Sequence, residues 1–287
     1  MWKSSPLSVA ELAGLSGKRA ICMSTRVHGP SEKKNANVIN GDDFVTVQNA
    51  SGSNKFELKD MQAILTRFKP DFFIGAFDEH PIPMSLKRVR KAVDRNLKYE
   101  KFSESCSDAL NNLPFVSSIS GAEHVTEKER NIQGISQKSS GIAFCDLQKL
   151  ATFDERLALL KSSCAVPGKE NLLRILRGSI TPKEMSQFLP FVDIFDTSYV
   201  DEITAKGFAL QLDDSCDIEP LNLWDEVYFE DFEPLSASCT CHACKNYKRS
   251  YVHHLLKSHE MLAGVLLMMH NLHQYQSWLD TLKARSI

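Results

Sequence analysis

Three cysteines lie within six residues of one another in the stretch SCTCHACKNYKRSYVHHLL, and their spacing points to metal binding. They are Cys239, Cys241 and Cys244, arranged as C-x-C-x-x-C. Neighbouring thiolates repel one another unless a cation neutralises them, and zinc is a borderline-soft cation that binds sulfur well. A closed structural zinc site needs four ligands, so another part of the chain must supply the fourth.

The fourth ligand is expected to be a histidine. The candidates are His242, His253, His254, His259, His270 and His273. If the segments NYKRSYVHHLLK and SHEMLAGVLLMMHNLHQYQSWLDTLKARSI form two helices in a hairpin, His270 or His273 can return to the cysteine loop. His253 and His254 are equally close to the loop in sequence. Spacing alone gives equal weight to His270 as a ligand and as a core histidine.

The elements that must position these residues alternate along the chain. Short apolar runs such as DFVTV, DFFIGAF, PFVSSIS, GIAFC, LLRIL and VDIF are separated by segments of helical periodicity. Repeated strand-then-helix units predict an α/β fold with a parallel sheet, and this many in series suits a (β/α)8 barrel. A doubly wound open sheet also matches the pattern. The final long helix is expected to have Ser258 as its N-cap and Glu260 in its first turn.

Composition limits the class of protein. The chain has 287 residues, 43% of them hydrophobic, which is enough for one large domain or two small ones. No apolar run is long enough for a membrane helix, and MWKSSPLSVAELAGLSGKRA lacks the apolar centre of a signal peptide, so a soluble, intracellular protein is expected. The net charge of -2 predicts that any nucleic-acid contact is local or shared with a partner.

The stretch FEPLSASCTCHACKNYKRSYVHHLLKSHEMLAGVLLMMHNLHQYQSWL, residues 232–279, closely resembles the carboxyl end of tRNA-guanine transglycosylases. That family holds a structural zinc ion through C-x-C-x-x-C and a histidine twenty-six positions after the third cysteine. The resemblance therefore implies one zinc ion per chain, with Cys239, Cys241, Cys244 and His270 as its ligands. It also implies a TIM-barrel-like (β/α)8 fold with a zinc-binding subdomain near the carboxyl end.

The resemblance begins near Asp42 and suggests three segments. Residues 1–40 are expected to be irregular, residues 41–215 to form the barrel portion, and residues 216–287 to form the zinc-binding subdomain with the C-terminal helices. The pattern gives five strand-helix units and a sixth strand, and the family's DSGGF segment with its acid-base aspartate has no match. Either the barrel is short at its N-terminus, or residues 1–40 supply a divergent substitute for the missing strands. Because an unclosed barrel would expose strand edges, these edges are expected to be covered.

Two acidic residues fall where barrel enzymes place their active sites, at the carboxyl ends of strands. Asp78 follows DFFIGAF and Asp196 follows VDIF. From the residues alone, each is better explained as the end of a strand or the cap of a helix. The resemblance implies instead that Asp78 matches the aspartate that reads the base, and that Asp196 matches the nucleophile that attacks the ribose.

The surroundings of these aspartates depart from the family pattern. Ser120-Gly121 replaces a glutamine-glycine pair, and Cys145-Asp146 replaces two glycines that let the base approach the backbone. Asp201 and Glu202 lie where the family carries arginines that meet RNA phosphate, and carboxylates repel phosphate. These changes predict that the chain has no catalytic residues of its own.

Retained zinc ligands beside an altered pocket resemble the family's non-catalytic paralogues, as does the helix KRVRKAVDRNL. Such a paralogue forms a heterodimer with the catalytic subunit of queuine tRNA-ribosyltransferase and shares the tRNA with it. The pair exchanges guanine for queuine at the wobble position, in the cytoplasm and on the mitochondrial outer membrane. Because Asp196 keeps the residue type of the nucleophile, a self-sufficient transglycosylase is the alternative. A zinc-stapled RNA-binding module is the second alternative.

Two basic runs could contact RNA. The first comprises Lys87, Arg88, Arg90, Lys91, Arg95 and Lys98. It is expected to be a solvated helix face. The second run, which follows the third cysteine, comprises Lys245, Lys248 and Arg249. It is expected either to be solvated or to contact the tRNA backbone.

Overall fold

The computed structural model of the protein describes residues 9–12, 14–15, 20–25, 39–49, 52–78, 85–120, 124–145, 147, 150, 152–212 and 219–285. The chain divides into two compact units. Unit 1 comprises Met1–Gly178 and Phe188–Asp196, and unit 2 comprises Ser179–Gln187 and Thr197–Ile287. Unit 2 therefore includes residues that precede 216, whereas the division into 1–40, 41–215 and 216–287 stays a prediction.

The elements of unit 1 alternate between strand and helix after an N-terminal hairpin. Its helices are α1 (Val9–Leu12), α2 (Met61–Phe68), α3 (Leu86–Ala109), α4 (Val125–Gln133) and α5 (Phe153–Cys164). Its strands are β1 (Cys22–Ser24), β2 (Phe44–Asn49), β3 (Gly52–Glu57), β4 (Phe72–Ile74), β5 (Phe115–Ile119), β6 (Gly141–Phe144), β7 (Leu173–Gly178) and β8 (Ile194–Thr197), which ends at the boundary. Strands β2 and β3 form an antiparallel hairpin.

The main sheet has the strand order β1-β4-β5-β6-β7-β8, with parallel pairing from β1 through β7. This order follows the chain and lacks the reversal that a doubly wound sheet requires. The sheet curls far enough for Arg177 on β7 to donate a hydrogen bond to Ser24 on β1, with 2.8 Å between Nη1 and Oγ. Among the described residues, β1 and β8 do not pair with each other. The predicted α/β barrel is therefore present as a curled half-barrel, which is consistent with a TIM-barrel-like fold but is not closed.

The expectation that residues 1–40 are irregular stays a prediction, although part of this segment has regular structure. Two short elements, α1 and β1, lie within it. Strand β1 forms because its backbone pairs with β4, so that Cys22 lies opposite Phe72 and Ser24 opposite Ile74. A strand of three mixed residues carries too little periodicity to be seen in the sequence. Most of the remaining residues of this segment lie outside the described part of the chain.

Alternate residues of the curled sheet face two different cores. On the concave face, Ile74, Val116, Ala143, Cys145 and Ile175 form a buried cluster. The opposite face packs against the helices, where the rings of Phe73 and Phe115 stack with centroids 5.7 Å apart. Strands β5 and β6 are buried along their whole length, as expected for central parallel strands covered on both sides.

Helix α3 is the element that positions the basic run and part of the pocket. Ser85 is its N-cap and accepts a hydrogen bond from the backbone N–H of Arg88. Val89 and Val93 are fully buried against the sheet. The polar side of the same helix then carries its arginines towards the loop after β4.

Unit 2 is built mainly from helices. Its elements are α6 (Pro182–Phe188), α7 (Tyr199–Ala205), β9 (Phe208–Ala209), β10 (Leu221–Asn222), α8 (His242–Asn246), α9 (Arg249–Lys257) and α10 (Met261–Arg285). The core contains Cys241 and Cys244 beside Val252, Leu255 and Leu267. None of the described helices is both long enough and apolar enough to cross a membrane.

Helices α9 and α10 meet at a tight turn, and the N-cap predicted for α10 from the sequence is wrong. Ser258 is the C-cap of α9, and its hydroxyl donates to the carbonyl of His254 at 2.8 Å. His259 then adopts a left-handed φ of 55°, and α10 begins at Met261. Ser258 is therefore not the N-cap of α10, because its hydroxyl is used to close the preceding helix.

Candidate metal centre and pocket residues

The cysteine loop is shaped by the short helix α8. Cys241 is its N-cap, and its Sγ accepts a hydrogen bond from the backbone N–H of Cys244 at 3.4 Å. This turn brings Cys241 and Cys244 onto the same side, where both are buried, while Cys239 is half-buried. The C-x-x-C portion of the motif thus forms two adjacent ligand positions by local geometry alone.

His270, in the middle of α10, completes the cluster. Its Nδ1 lies 3.3 Å from Sγ of Cys244 and 3.7 Å from Sγ of Cys241. The ligand atoms of Cys239, Cys241, Cys244 and His270 all lie within 4.8 Å of one another. In a tetrahedral zinc site, with Zn–S about 2.3 Å, neighbouring ligand atoms are about 3.5–3.8 Å apart. These four residues could therefore hold a metal ion, and their donor set is one that zinc prefers.

A backbone contact fixes the orientation of the His270 ring. The ring is fully buried, and its Nε2 lies 2.9 Å from the carbonyl oxygen of Leu210. Because a carbonyl only accepts, Nε2 must carry the proton and Nδ1 presents a lone pair to the cysteines. Burial also lowers the pKa of His270, which favours the neutral form that binds metals. Such a contact is the usual outer support of a metal-binding histidine.

The protonation of the cysteine thiols would change when a cation binds. Burial raises the pKa of Cys244 to about 12 and raises that of Cys241 as well. Without a cation these groups stay protonated near neutral pH. A bound metal ion would displace their protons and neutralise the resulting thiolates, so that metal binding and folding of this region are coupled.

The other candidate histidines have different partners. Nδ1 of His253 lies 2.9 Å from the carbonyl oxygen of Leu223, so His253 is a buried core histidine. His254 is exposed. Nδ1 of His273 lies 3.5 Å from Sγ of Cys239, so His273 contacts the cluster from outside it. The sequence offered His273 only as an alternative to His270 and gave no sign of this supporting contact.

Asp78 lies in unit 1, in the loop after β4, and is fully buried. Arg88 donates two hydrogen bonds of 2.9 Å to its carboxylate, and Arg95 donates one of 3.0 Å. The side-chain amide of Asn40 donates another at 2.8 Å. Burial alone would raise the pKa of Asp78, but these hydrogen bonds and the charge of Arg88 outweigh it and hold the pKa below its ordinary value. Asp78 is thus a buried counter-ion for helix α3.

Asp196, on β8, is also paired with an arginine. Its Oδ2 accepts a hydrogen bond of 2.8 Å from Nε of Arg177 on β7. The Arg177 side chain is 5% exposed, whereas that of Asp196 is 48% exposed. The structure therefore presents the carboxylate of Asp196 as half of a partly buried ion pair. Sequence reasoning missed Arg177, because a single arginine near the end of a strand carries no recognisable signal.

The profile of the queuine tRNA-ribosyltransferase family matches residues 19–285, which is nearly the whole chain. The chain belongs to this family.

Individual members of the family give a closer comparison. A protein of Drosophila grimshawi named queuine tRNA-ribosyltransferase accessory subunit 2 is 30% identical, over 96% of this chain and 69% of the relative. Proteins of the same name from Homo sapiens and Anopheles gambiae are 29% and 27% identical, over 80% and 98% of this chain and 66% and 69% of theirs. The chain thus spans about two thirds of the length of these relatives.

Within this transglycosylase family, the residues that depart from the enzyme pattern have structural partners. Ser120 is buried and accepts a hydrogen bond of 2.8 Å from Asn96 on α3, and Cys145 is buried in the concave cluster. Glu202 accepts hydrogen bonds from Ser179 and Ser198 at 2.9 and 2.8 Å, at the start of α7. Gly121 and Asp146 lie outside the described residues.

Most of the first basic run is used inside unit 1 of this family member. Arg90 pairs with Glu127, and Arg95 and Lys98 pair with Asp42. Arg88 and Arg95 are bound to Asp78 and so are drawn inwards, whereas Lys87, Arg90, Lys91 and Lys98 remain exposed, as expected for a solvated helix face.

The second basic run is divided between two roles. Arg249 pairs with Asp231 at 2.9 Å and fixes the chain that leads into the cysteine loop. Lys245 and Lys248 are exposed beside the Cys3His cluster. This part of the family member keeps positive charge at its surface.

Proposed function

We propose that this chain is a non-catalytic accessory subunit of a heteromeric tRNA-guanine transglycosylase that exchanges guanine for queuine at the wobble position of tRNA. Its similarity to relatives named accessory subunit 2, over as much as 98% of the chain, carries the proposal. The ion pairs of the two aspartates agree with it. Asp78 is buried among arginines, and the Asp196 carboxylate is hydrogen-bonded to Arg177.

Absence of turnover by the chain alone follows from electrostatics. A nucleophilic carboxylate attacks through an oxygen lone pair, and a hydrogen bond from a guanidinium to one of its oxygens lowers the electron density of the group and weakens it as a nucleophile. Ribosyl transfer also needs the leaving base to be held and the RNA phosphates to be neutralised. The Asp78 carboxylate, at the base-reading position, already accepts bonds from Arg88, Arg95 and Asn40.

We assign one structural zinc ion to the Cys239, Cys241, Cys244 and His270 cluster of each chain. Three thiolates and one imidazole satisfy a tetrahedral zinc ion and leave no position for a reacting water. The ion would then stabilise the loop, α8 and the middle of α10 without taking part in chemistry.

Unit 2 exposes apolar side chains that a protein partner could cover. Met261, Val265, Met269 and Leu272 lie on one stripe of α10, and each is at least 42% exposed. On α9, Tyr251 is 40% exposed and stacks on Tyr247, with ring centroids 5.4 Å apart. Several large apolar side chains exposed along one helix are typical of a surface that a partner covers. We propose that the catalytic subunit of queuine tRNA-ribosyltransferase covers it in a heterodimer.

The tRNA would be shared between the two subunits. Lys245 and Lys248 offer local positive charge beside the Cys3His cluster, which suits contact with a few phosphates rather than a whole anticodon stem. We further propose a cytoplasmic location, with peripheral attachment to the mitochondrial outer membrane through the complex.

Guanine exchange on tRNA tests this function when it is measured with the chain alone, the catalytic subunit alone and both together. Exchange is expected from the mixture and from no preparation of this chain alone. Exchange by the chain alone would support the self-sufficient enzyme. Binding of tRNA without any effect on, or association with, the catalytic subunit would support the zinc-stapled RNA-binding module.

A further inference from the structure

We propose that Arg177 closes the concave face of the unit 1 sheet to a nucleobase, and that Asp196 is retained as the counter-ion of Arg177. The inference rests on the proposed accessory function and deepens it, because it names the side chain that takes the place of a substrate. It also assigns Asp196 a structural role that does not involve catalysis.

The position of Arg177 follows from the alternation of side chains along β7. Ile175 belongs to the concave cluster, and Arg177 lies two residues further on the same face. Leu176 pairs with Phe144, which places Arg177 beside Cys145 where the ladder continues. With its side chain 5% exposed, Arg177 lies inside the curl of the sheet rather than at its surface.

Hydrogen bonds to both edge strands hold the guanidinium across the curl. Nε donates to Oδ2 of Asp196 on β8, and Nη1 donates to Oγ of Ser24 on β1, each at 2.8 Å. Arg177 therefore connects one edge strand of the sheet to the other. The planar guanidinium, which always carries its charge, is suited to bridging two acceptors in this way.

This arrangement has consequences for any base that might enter. A purine on the concave face would have to displace a buried cation that is already hydrogen-bonded, and would leave the carboxylate of Asp196 without its partner. The cost lies mainly with Arg177, because its side chain is 5% exposed and its charge would lose its partner while buried, whereas the Asp196 side chain is 48% exposed and can be solvated. Removal of Asp196 should therefore lower the stability of the fold only as long as Arg177 is present.

A double-mutant cycle in the full chain tests the pairing. Urea denaturation midpoints are measured for the unmodified chain, Asp196→Asn, Arg177→Met and the double variant. Asp196→Asn should lower the midpoint, and this loss should shrink by more than half in the Arg177→Met background. Asp201→Asn, which changes an exposed acid on α7, is the matched control and should show no such dependence. Equal losses in both backgrounds would overturn the pairing.

Thiol labelling tests whether Arg177 covers the concave face. Cys145 lies beside Arg177, Cys106 lies in a different core behind α3, and both are 2% exposed. In Arg177→Ala, labelling of Cys145 by a small maleimide, mapped by mass spectrometry, should rise several-fold while Cys106 stays unreactive. No rise at Cys145, or an equal rise at both cysteines, would show that Arg177 does not close this face.

The outcome can be separated from the proposed function. If the cycle is additive but the mixture with the catalytic subunit still exchanges guanine with Asp196→Asn, the inference about Arg177 fails and the accessory function stands. If exchange is lost with Asp196→Asn while the complex still forms, both fail.

Discussion

The acidic residues of unit 1 and the cysteines of unit 2 come from the same family pattern, but the structure treats them in opposite ways. In unit 2, Cys241, Cys244 and His270 point their donor atoms at one another, as metal ligands do. In unit 1, Asp78 and Asp196 each point at an arginine of the same chain. The side chains of the Cys3His cluster are thus arranged around a common centre, whereas the two carboxylates are paired with cations of their own chain. Substitutions in the two units test this contrast.

Loss of a metal ligand should have the largest effect. Cys241→Ala or His270→Ala is expected to reduce zinc content and solubility together, because metal binding at such sites contributes on the order of 10 kcal/mol to folding. Zinc per chain can be measured by atomic emission, and soluble yield by sedimentation of the lysate. His273→Ala is the control, since His273 contacts Cys239 only from outside the cluster and should leave zinc nearly stoichiometric. Full zinc occupancy in His270→Ala would remove His270 from the site.

Removing Asp78 should have the next largest effect. Asp78→Ala leaves Arg88 and Arg95 without their buried partner, and a broken buried pair costs about 3–5 kcal/mol. The free energy of unfolding in urea measures this loss. Asp42→Asn is the control, because Asp42 also pairs with Arg95 but is largely exposed, so little change is expected. Equal effects of the two changes would show that Asp78 is not a buried counter-ion.

The contribution of Asp78 should also depend on pH. The pKa of Asp78 is lower in the folded chain than its ordinary value, so its carboxylate stabilises the fold above the pKa of the unfolded chain, about 3.9. This stabilisation is lost as the pH falls from that value through the folded pKa. The difference in unfolding free energy between the unmodified chain and Asp78→Asn should be constant from neutral pH down to about pH 5 and narrow below it. A difference that grows on acidification would contradict the lowered pKa.

The apolar stripe of α10 should matter for pairing more than for folding. Val265→Asp is expected to weaken association with the catalytic subunit by about 1–3 kcal/mol, because it places a charge in the proposed interface. Sedimentation velocity of the mixed proteins gives the affinity. Val125→Asp is matched to it, since Val265 and Val125 are 52% and 54% exposed but Val125 lies on α4 of unit 1. Equal weakening by both changes would argue against an interface on α10.

Lys245 and Lys248 should make a smaller contribution. The double change to glutamine removes exposed charge near the Cys3His cluster, so tRNA binding by the complex should weaken a few-fold. The slope of log affinity against log salt should become shallower by about 0.9 for each phosphate that the lysines no longer neutralise. Lys87→Gln with Lys91→Gln on α3 is the control pair. An unchanged slope after the Lys245 and Lys248 change would place the RNA elsewhere.

The sequence predicted those features whose signal is local. The spacing of Cys239, Cys241 and Cys244 is set within a single turn around α8, so it could be recognised directly. His270 needed the family pattern, because only the packing of α10 against the cysteine loop decides between it and His273. The alternation of strands and helices likewise predicted the class of fold.

Features that depend on distant partners could not be predicted from the sequence. Arg177 donates a hydrogen bond to Ser24, which lies 153 positions earlier in the chain. The sequence around either residue contains no pattern that predicts this contact. Strand β1 forms because its backbone N–H and C=O groups pair with those of β4. Ser258 looked like the start of a helix, since serine caps either end of a helix and only the left-handed turn at His259 distinguishes the two.

The most direct measurement is guanine exchange by the mixed pair when one nucleophile at a time is removed. Exchange is measured per folded complex, at a temperature where Asp196→Asn remains native, and tRNA adducts are followed on denaturing gels. Asp196→Asn in this chain should leave exchange nearly unchanged, whereas replacing the catalytic subunit's own nucleophile should abolish it. A denaturation-resistant adduct between this chain and tRNA that disappears with Asp196→Asn would contradict the accessory role and show that Asp196 is a working nucleophile.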